Sequence, residues 1–122
     1  RTPRTSDMLL AAMQEVAELS KHFEGAYVGD GVAERTLGYL KTTVTPGGCP
    51  STCRDIVCGR PSEIREFSGT LVKMGQEKGV PMPVHAFLSA MLEPQEAMAR
   101  GEHIYSLEGV PGGKPHVAPP PL

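Results

Sequence analysis

The sequence predicts an all-α fold: a compact bundle of about five helices followed by a Pro/Gly-rich tail. Three observations carry this. Apolar residues recur at helical spacing in successive segments, and glycine and proline fall where those segments would start or stop. No stretch of useful length shows the period-two alternation of a half-buried strand.

The first helix is expected from about Asp7 to Phe23, with Ser6 as its cap and Gly25 just past its end. Leu9, Met13, Val16 and Phe23, with Ala12 between, trace its apolar face, and Glu15, Glu18, Lys21 and Glu24 mainly its solvated one. A turn at Gly29-Asp30-Gly31, with Asp30 as cap, leads to a second helix over Val32 to Thr43, whose stripe is Ala33, Leu37, Leu40 and Val44. That turn is too incomplete for a dinucleotide fingerprint, because Glu34 stands where the third glycine belongs. After the loop Thr45-Pro46-Gly47-Gly48, a short third helix spans Ser51 to Cys58 and stops at Gly59.

A fourth helix, Ser62 to Lys78, is closed by Gly79, with Ile64, Phe67, Leu71, Met74 and Gly75 expected inside. Gly69 in its middle costs about 1 kcal/mol of helix propensity, so a close helix–helix approach is expected there. Pro81 and Pro83 precede a last core helix, Val84 to Leu92, with Phe87, Leu88 and Met91 apolar and a weak extension over Glu96 to Arg100. Residues 1–100 thus read as one helical domain. Residues 101–122, rich in proline and glycine, read as an extended or disordered tail.

Composition narrows the function. The chain has 122 residues, 39% of them hydrophobic, and a formal net charge of −2, which gives no footprint for nucleic acid or a membrane surface. No apolar run approaches the roughly 20 residues that span a bilayer, and no leader-like segment is visible. A cytoplasmic location is expected. Cys49, Cys53 and Cys58 are odd in number and lack the paired spacing of a zinc knuckle, so no metal is expected; Cys53 and Cys58 are expected to pack as small hydrophobes. His85 is expected at the surface or in a capping role, and His22, His103 and His116 show no ligand spacing.

The strongest candidate site lies in Ser51-Thr-Cys-Arg-Asp-Ile-Val-Cys-Gly-Arg-Pro-Ser-Glu-Ile64. A short helix, a Gly-Arg-Pro break and a second helix start set Ser51 and Glu63 at successive helix N-termini, where unpaired N–H groups and the helix dipole favour anions. The intervening helix is roughly 10–12 Å long, so the two would flank a small ligand. Read without a ligand, Ser51 is an N-cap and Glu63 a first-turn partner of the dipole.

Ser51, Asp55, Gly59-Arg60-x-Ser62-Glu63-Ile64, Gly69 and Gly79-Val80-Pro81-Met82-Pro83 together resemble the C-terminal domain of ketopantoate reductases (2-dehydropantoate 2-reductases). The resemblance runs from about Ser51 to Leu92, and in helix pattern back to Ser6. It implies an oxidoreductase in which an N-terminal Rossmann domain, absent from this chain, holds NADP(H). A small 2-oxo acid then binds between the domains, as in the reduction of ketopantoate to pantoate in pantothenate biosynthesis. By the family motif, Ser51 binds substrate, and Glu63 stands at the cofactor–substrate cleft with a role in binding or catalysis. A homodimer is the expected assembly. Gly48, Arg54, Arg65 and Ser68 depart from the family's usual asparagine, glutamine, aspartate and asparagine. Neither Lys21 nor Lys41 matches the family's general-acid lysine, so this chain is not expected to catalyse alone. The alternative is a free-standing helical dimerisation or interaction domain without catalysis.

Overall fold

A computed structural model of the chain describes residues 2–45 and 47–102, and only the backbone of Ala99. It contains five α-helices and, among the described residues, no strand. They are α1 (Pro3–Ser20), α2 (Val32–Thr43), α3 (Ser51–Val57), α4 (Thr70–Lys78) and α5 (Pro83–Ala99), with a π-helical turn, Arg65–Gly69, running straight into α4. The expected tail, with His103 and His116, lies outside the described residues.

Helix starts are where the local chemistry departs most from expectation. Helix α1 begins earlier than Ser6 because Thr2 and Thr5 cap it reciprocally: the Thr5 amide donates to Thr2 Oγ1 at 3.3 Å, and the Thr2 amide to Thr5 Oγ1 at 3.1 Å. Asp30 does not cap α2. Gly31 takes that position in the left-handed region, while the Asp30 carboxylate accepts from the Tyr27 hydroxyl at 2.6 Å. That bond also raises the Tyr27 pKa. Gln14 joins α1 to α2 by donating to Glu34 Oε1 at 2.7 Å, and the same contact holds the Glu34 carboxyl below its ordinary value.

The last helix is continuous where a core helix and a weak extension were expected. Pro94 lies inside it, and its missing N–H removes the bond to the Ala90 carbonyl without ending the helix. The helix closes at Gly101 (φ 80°), where the Gly101 and Glu102 amides donate to the Met98 and Ala97 carbonyls. Arg100 reaches back to buried Glu96 at 3.1 Å, an i,i+4 pair on the last turn.

The core is small. Leu19, Val80 and Met82 are buried together, with Phe23, Leu71, Val72 and Met74 packed around them. Burying each large side chain contributes roughly 1.5–3 kcal/mol, so this cluster holds α1, α4 and the segment before α5 together. Lys78 Nζ lies 4.9 Å from the Phe23 ring centre and covers that edge. Several expected core residues face outward instead: Phe67 is 57% exposed and Phe87 and Met91 are each 52% exposed. Cys53 is exposed, contrary to the expected packing, and Cys58 is only half-buried. On α1, Leu9, Met13 and Val16 line an open apolar groove, and Leu19 is the residue that enters the core.

The close approach expected at Gly69 occurs at Gly75. A methyl at Gly75 would meet Met82 Cγ and sit 2.7 Å from the Val80 carbonyl oxygen, whereas one at Gly69 would make only ordinary contacts, 3.7 Å from Arg65 Cγ. Backbone explains the tightness: Gly79 (φ 69°) turns the chain so that the Val80 amide donates to Gly75 at 2.8 Å. Gly75→Ala should therefore destabilise the fold by about 1–3 kcal/mol, and Gly69→Ala should stabilise it by about 0.5–1 kcal/mol, in urea denaturation. Equal effects would show that the turn at Gly79 does not constrain α4.

One polar contact ties the ends of the bundle together. Helix α5 starts Met82-Pro83-Val84-His85, which offers no capping side chain of its own. The Glu15 carboxylate of α1 supplies the acceptor. Its Oε1 takes the Val84 amide at 2.6 Å, and its Oε2 takes the His85 amide at 3.1 Å and faces His85 Nδ1 at 2.7 Å. Both side chains are about nine-tenths buried. Glu15 is thus no part of a solvated face, and His85 is neither exposed nor without a partner. Glu15→Ala would strand these donors, and a loss of about 2–3 kcal/mol is expected by denaturation. A loss below about 0.5 kcal/mol would mean that α5 does not depend on this cap.

Candidate functional site

The region from Ser51 to Ile64 folds into a clasp. Helix α3 has Pro50 at its cap position, so Ser51 is its first residue and its hydroxyl makes no capping bond. Past the helix end and its cap residue Cys58, Gly59 with positive φ (66°) turns the chain, the Gly59 amide donating to the Ile56 carbonyl at 3.1 Å and the Arg60 amide to the Asp55 carbonyl at 2.7 Å. Arg60 then returns its guanidinium to Asp55, with Nη2 3.1 Å from Oδ1. Both ends of the Asp55–Arg60 pair are partly exposed, so it directs the turn more than it stabilises it.

Beyond Pro61 the chain is held by Ser62, which is buried and whose hydroxyl accepts the Ile64 amide at 3.3 Å. Ile64 is buried as an anchor. Glu63, between these two inward-facing residues, is exposed and bends ahead of the helical segment. Its carbonyl accepts the Phe67 amide at 3.0 Å while its carboxylate stays clear. The π-helical turn that follows widens the helix by one residue per turn, a distortion frequent at functional sites.

Ser51 and Glu63 are therefore both exposed, and neither side chain makes a hydrogen bond or ion pair among the described residues. They stand at opposite ends of the clasp, each leading a helical segment, as the spacing predicts. The structure does not bring them into an enclosed pocket of this chain. The grooves lie elsewhere. One of about 380 Å³ runs between α1 and α2, lined by Leu9, Met13, Val16, Val32 and Thr36, with His85 at its margin. Another, of about 190 Å³ beside Gly29 and Gly31, is bordered by Glu18, Asp30 and Glu34. Its carboxylates oppose a pyrophosphate, and its lysine, Lys21, is already paired to Glu18 at 2.6 Å.

Departures from the usual motif fall at distinct places. Gly48 and Arg54 are exposed around the start of α3, and Ser68 is buried in the π turn. Arg65 lines a groove of about 290 Å³ with Glu93, Pro94, Arg100 and Glu102.

The family model described as ketopantoate reductase PanE/ApbA C terminal matches residues 1–96. That span covers α1 to α4 and most of α5, including every clasp residue. The chain belongs to this family. No curated protein and no solved structure gives a significant match. Ketopantoate reductases are oxidoreductases, and the family generally depends on NADP through an N-terminal domain. No helix among the described residues is long and apolar enough to cross a membrane.

The clasp makes a stability prediction independent of any ligand. Gly59→Ala forces a side chain into the left-handed region and should cost about 1–2 kcal/mol in thermal denaturation. Asp55→Asn, which weakens only a partly exposed pair, should cost under about 1 kcal/mol. The reverse order would show that the ion pair, not the turn, holds the clasp.

Proposed function

We propose that this chain is the substrate-binding part of an NADP-dependent 2-oxo acid reductase of the ketopantoate type. The observation that carries the reading is the pair Ser51 and Glu63: two exposed polar side chains without a hydrogen bond or ion pair among the described residues, on a clasp shaped by the Asp55–Arg60 pair, the Ser62 turn and the buried Ile64. In a purely structural segment, polar side chains at helix starts would be expected to cap, as Thr2 does for α1.

In this reading Ser51 donates a hydrogen bond to a carboxylate or carbonyl oxygen of the 2-oxo acid, which the free N–H groups at the start of α3 also favour. Glu63 accepts hydrogen bonds from hydroxyls of the substrate or of the cofactor ribose, a role that its exposed, unpaired carboxylate fits. NADPH, bound mainly by an N-terminal Rossmann domain, supplies the hydride when present. The proton for the new hydroxyl comes from a general acid outside the described residues. Closure of a second domain over the clasp would desolvate Glu63 and strengthen its bonds. We further propose a homodimer in the cytoplasm, formed through apolar side chains that the bundle leaves open, Phe87 and Met91 of α5 among them.

Kinetics of the enzyme containing this chain test the roles. Glu63→Gln keeps shape but removes charge and acceptor capacity, and should lower kcat/KM about ten- to a hundredfold with the melting temperature unchanged. Ser51→Ala should raise KM more than it lowers kcat, because its contact is made before and during hydride transfer alike. Wild-type kinetics in both variants would remove the proposal.

A further inference from the structure

The groove between α1 and α2 has no part in the roles above. It encloses about 380 Å³, is walled by Leu9, Met13, Val16 and Val32, and is lined by no charged side chain of the described residues. Burying a charge there without a partner would be costly, so NADP and the carboxylate of a 2-oxo acid are poor occupants. Its size falls at the small end of the range for sites that take small molecules, which combine apolar walls with a few polar groups.

Two such groups line the groove, and each has an unused valence. Thr36 belongs to α2, in which the Thr42 hydroxyl donates back to the Tyr39 carbonyl at 3.0 Å. The Thr36 hydroxyl makes no such bond, nor any other among the described residues. The imidazole of His85, nine-tenths buried, is engaged on one side, with Nδ1 2.7 Å from Glu15 Oε2. That oxygen also accepts the His85 amide, and a carboxylate oxygen only accepts, so Nδ1 carries the hydrogen. In the uncharged ring Nε2 is then an acceptor, and it has no hydrogen-bond partner among the described residues. Both groups can be reached, unlike Ser89 Oγ and Glu96 Oε2, which are enclosed as well as unpartnered.

We propose that this groove binds a small uncharged hydroxyl compound, an alcohol or phenol with an apolar body, whose O–H donates to His85 Nε2. The apolar walls take the body of the ligand, and burial of that body supplies most of the affinity. His85 supplies the selectivity. Its ring is held by Glu15, which is itself fixed by the first amides of α5, so the acceptor is already oriented before a ligand arrives. A hydrocarbon of the same shape would gain the walls but leave Nε2 unpaired. A carboxylate would bring an unpartnered charge and set one acceptor against another. The Thr36 hydroxyl offers a second contact, as donor or acceptor, to a ligand lying along the groove.

Methyl-detected NMR of the full-length protein, titrated with 4-propylphenol, propylbenzene and 4-propylbenzoate, tests this. The methyl signals of Leu9, Met13, Val16 and Val32 should shift saturably with the phenol. The phenol should bind about three- to tenfold more tightly than propylbenzene, the worth of one hydrogen bond. The benzoate should bind more weakly than either. His85→Asn keeps an N–H donor for Glu15 but removes Nε2, and should bring the phenol level with propylbenzene. Thr36→Val, nearly equal in shape and at a half-buried position, should weaken the phenol more than propylbenzene, and it decides the matter should His85→Asn fail to fold. Equal wild-type affinities for the phenol and propylbenzene, tightest binding of the benzoate, saturable shifts confined to methyls outside the groove, or an undiminished preference for the phenol in the folded variants would each overturn the proposal. None of these readouts involves NADPH or a 2-oxo acid, so the groove and the reductase reading fail separately.

Discussion

The bundle depends on one carboxylate. Helix α5 begins after two prolines with no Ser, Thr, Asp or Asn at its start, so its first amides need an acceptor from elsewhere. Glu15 provides both oxygens, and it does so from the middle of α1, far away in sequence. With this contact made, α1 lies along the start of α5, and Val80 and Met82 are drawn into the cluster with Leu19. Without it, a carboxylate and two amides would be left in a largely dry place, which is costlier than the loss of one surface pair. His85 completes the contact by filling the remaining acceptor capacity of Oε2.

This fixed frame explains why the clasp can carry function. Helix α3 touches α5 and, among the described residues, no other helix, so it is a projection from the bundle rather than part of its core. Its position is set by local devices instead: the left-handed turn at Gly59, the Asp55–Arg60 pair, the Ser62 turn and the buried Ile64. Every strongly directional residue of the motif is used to shape the backbone. Ser51 and Glu63 are left exposed, with no hydrogen bond or ion pair among the described residues. A rigid turn holding unengaged polar groups at an open surface is what a site shared between two domains requires.

Much of this was legible in the residues, for identifiable reasons. Helix existence followed from periodicity, and the bounds of α2 and the ends of α3 and α4 from Gly59, Gly79 and the apolar stripes. Exposure of Ser51 and Glu63 at successive helix starts followed from the Gly-Arg-Pro break. The misses share a cause: they depend on partners distant in sequence. Glu15 lies among surface-type residues in α1, and only the lack of a cap before Val84 hints that a remote acceptor is needed. Gly75 and Gly69 look alike in sequence, and only the return of the chain at Val80 and Met82 distinguishes them. The π turn at Arg65–Gly69 has no periodic signature, and Phe67, which helical periodicity would place inside, is exposed within it.

The most direct test of the central claim is a crystal structure of the complete enzyme with NADP and a 2-oxo acid bound. It should place Ser51 Oγ and the Glu63 carboxylate at hydrogen-bonding distance, about 2.6–3.2 Å, from oxygens of the substrate or the ribose, with the Asp55–Arg60 clasp unchanged. A ligand seated instead in the apolar groove beside His85, with Ser51 and Glu63 still facing solvent, would contradict the account.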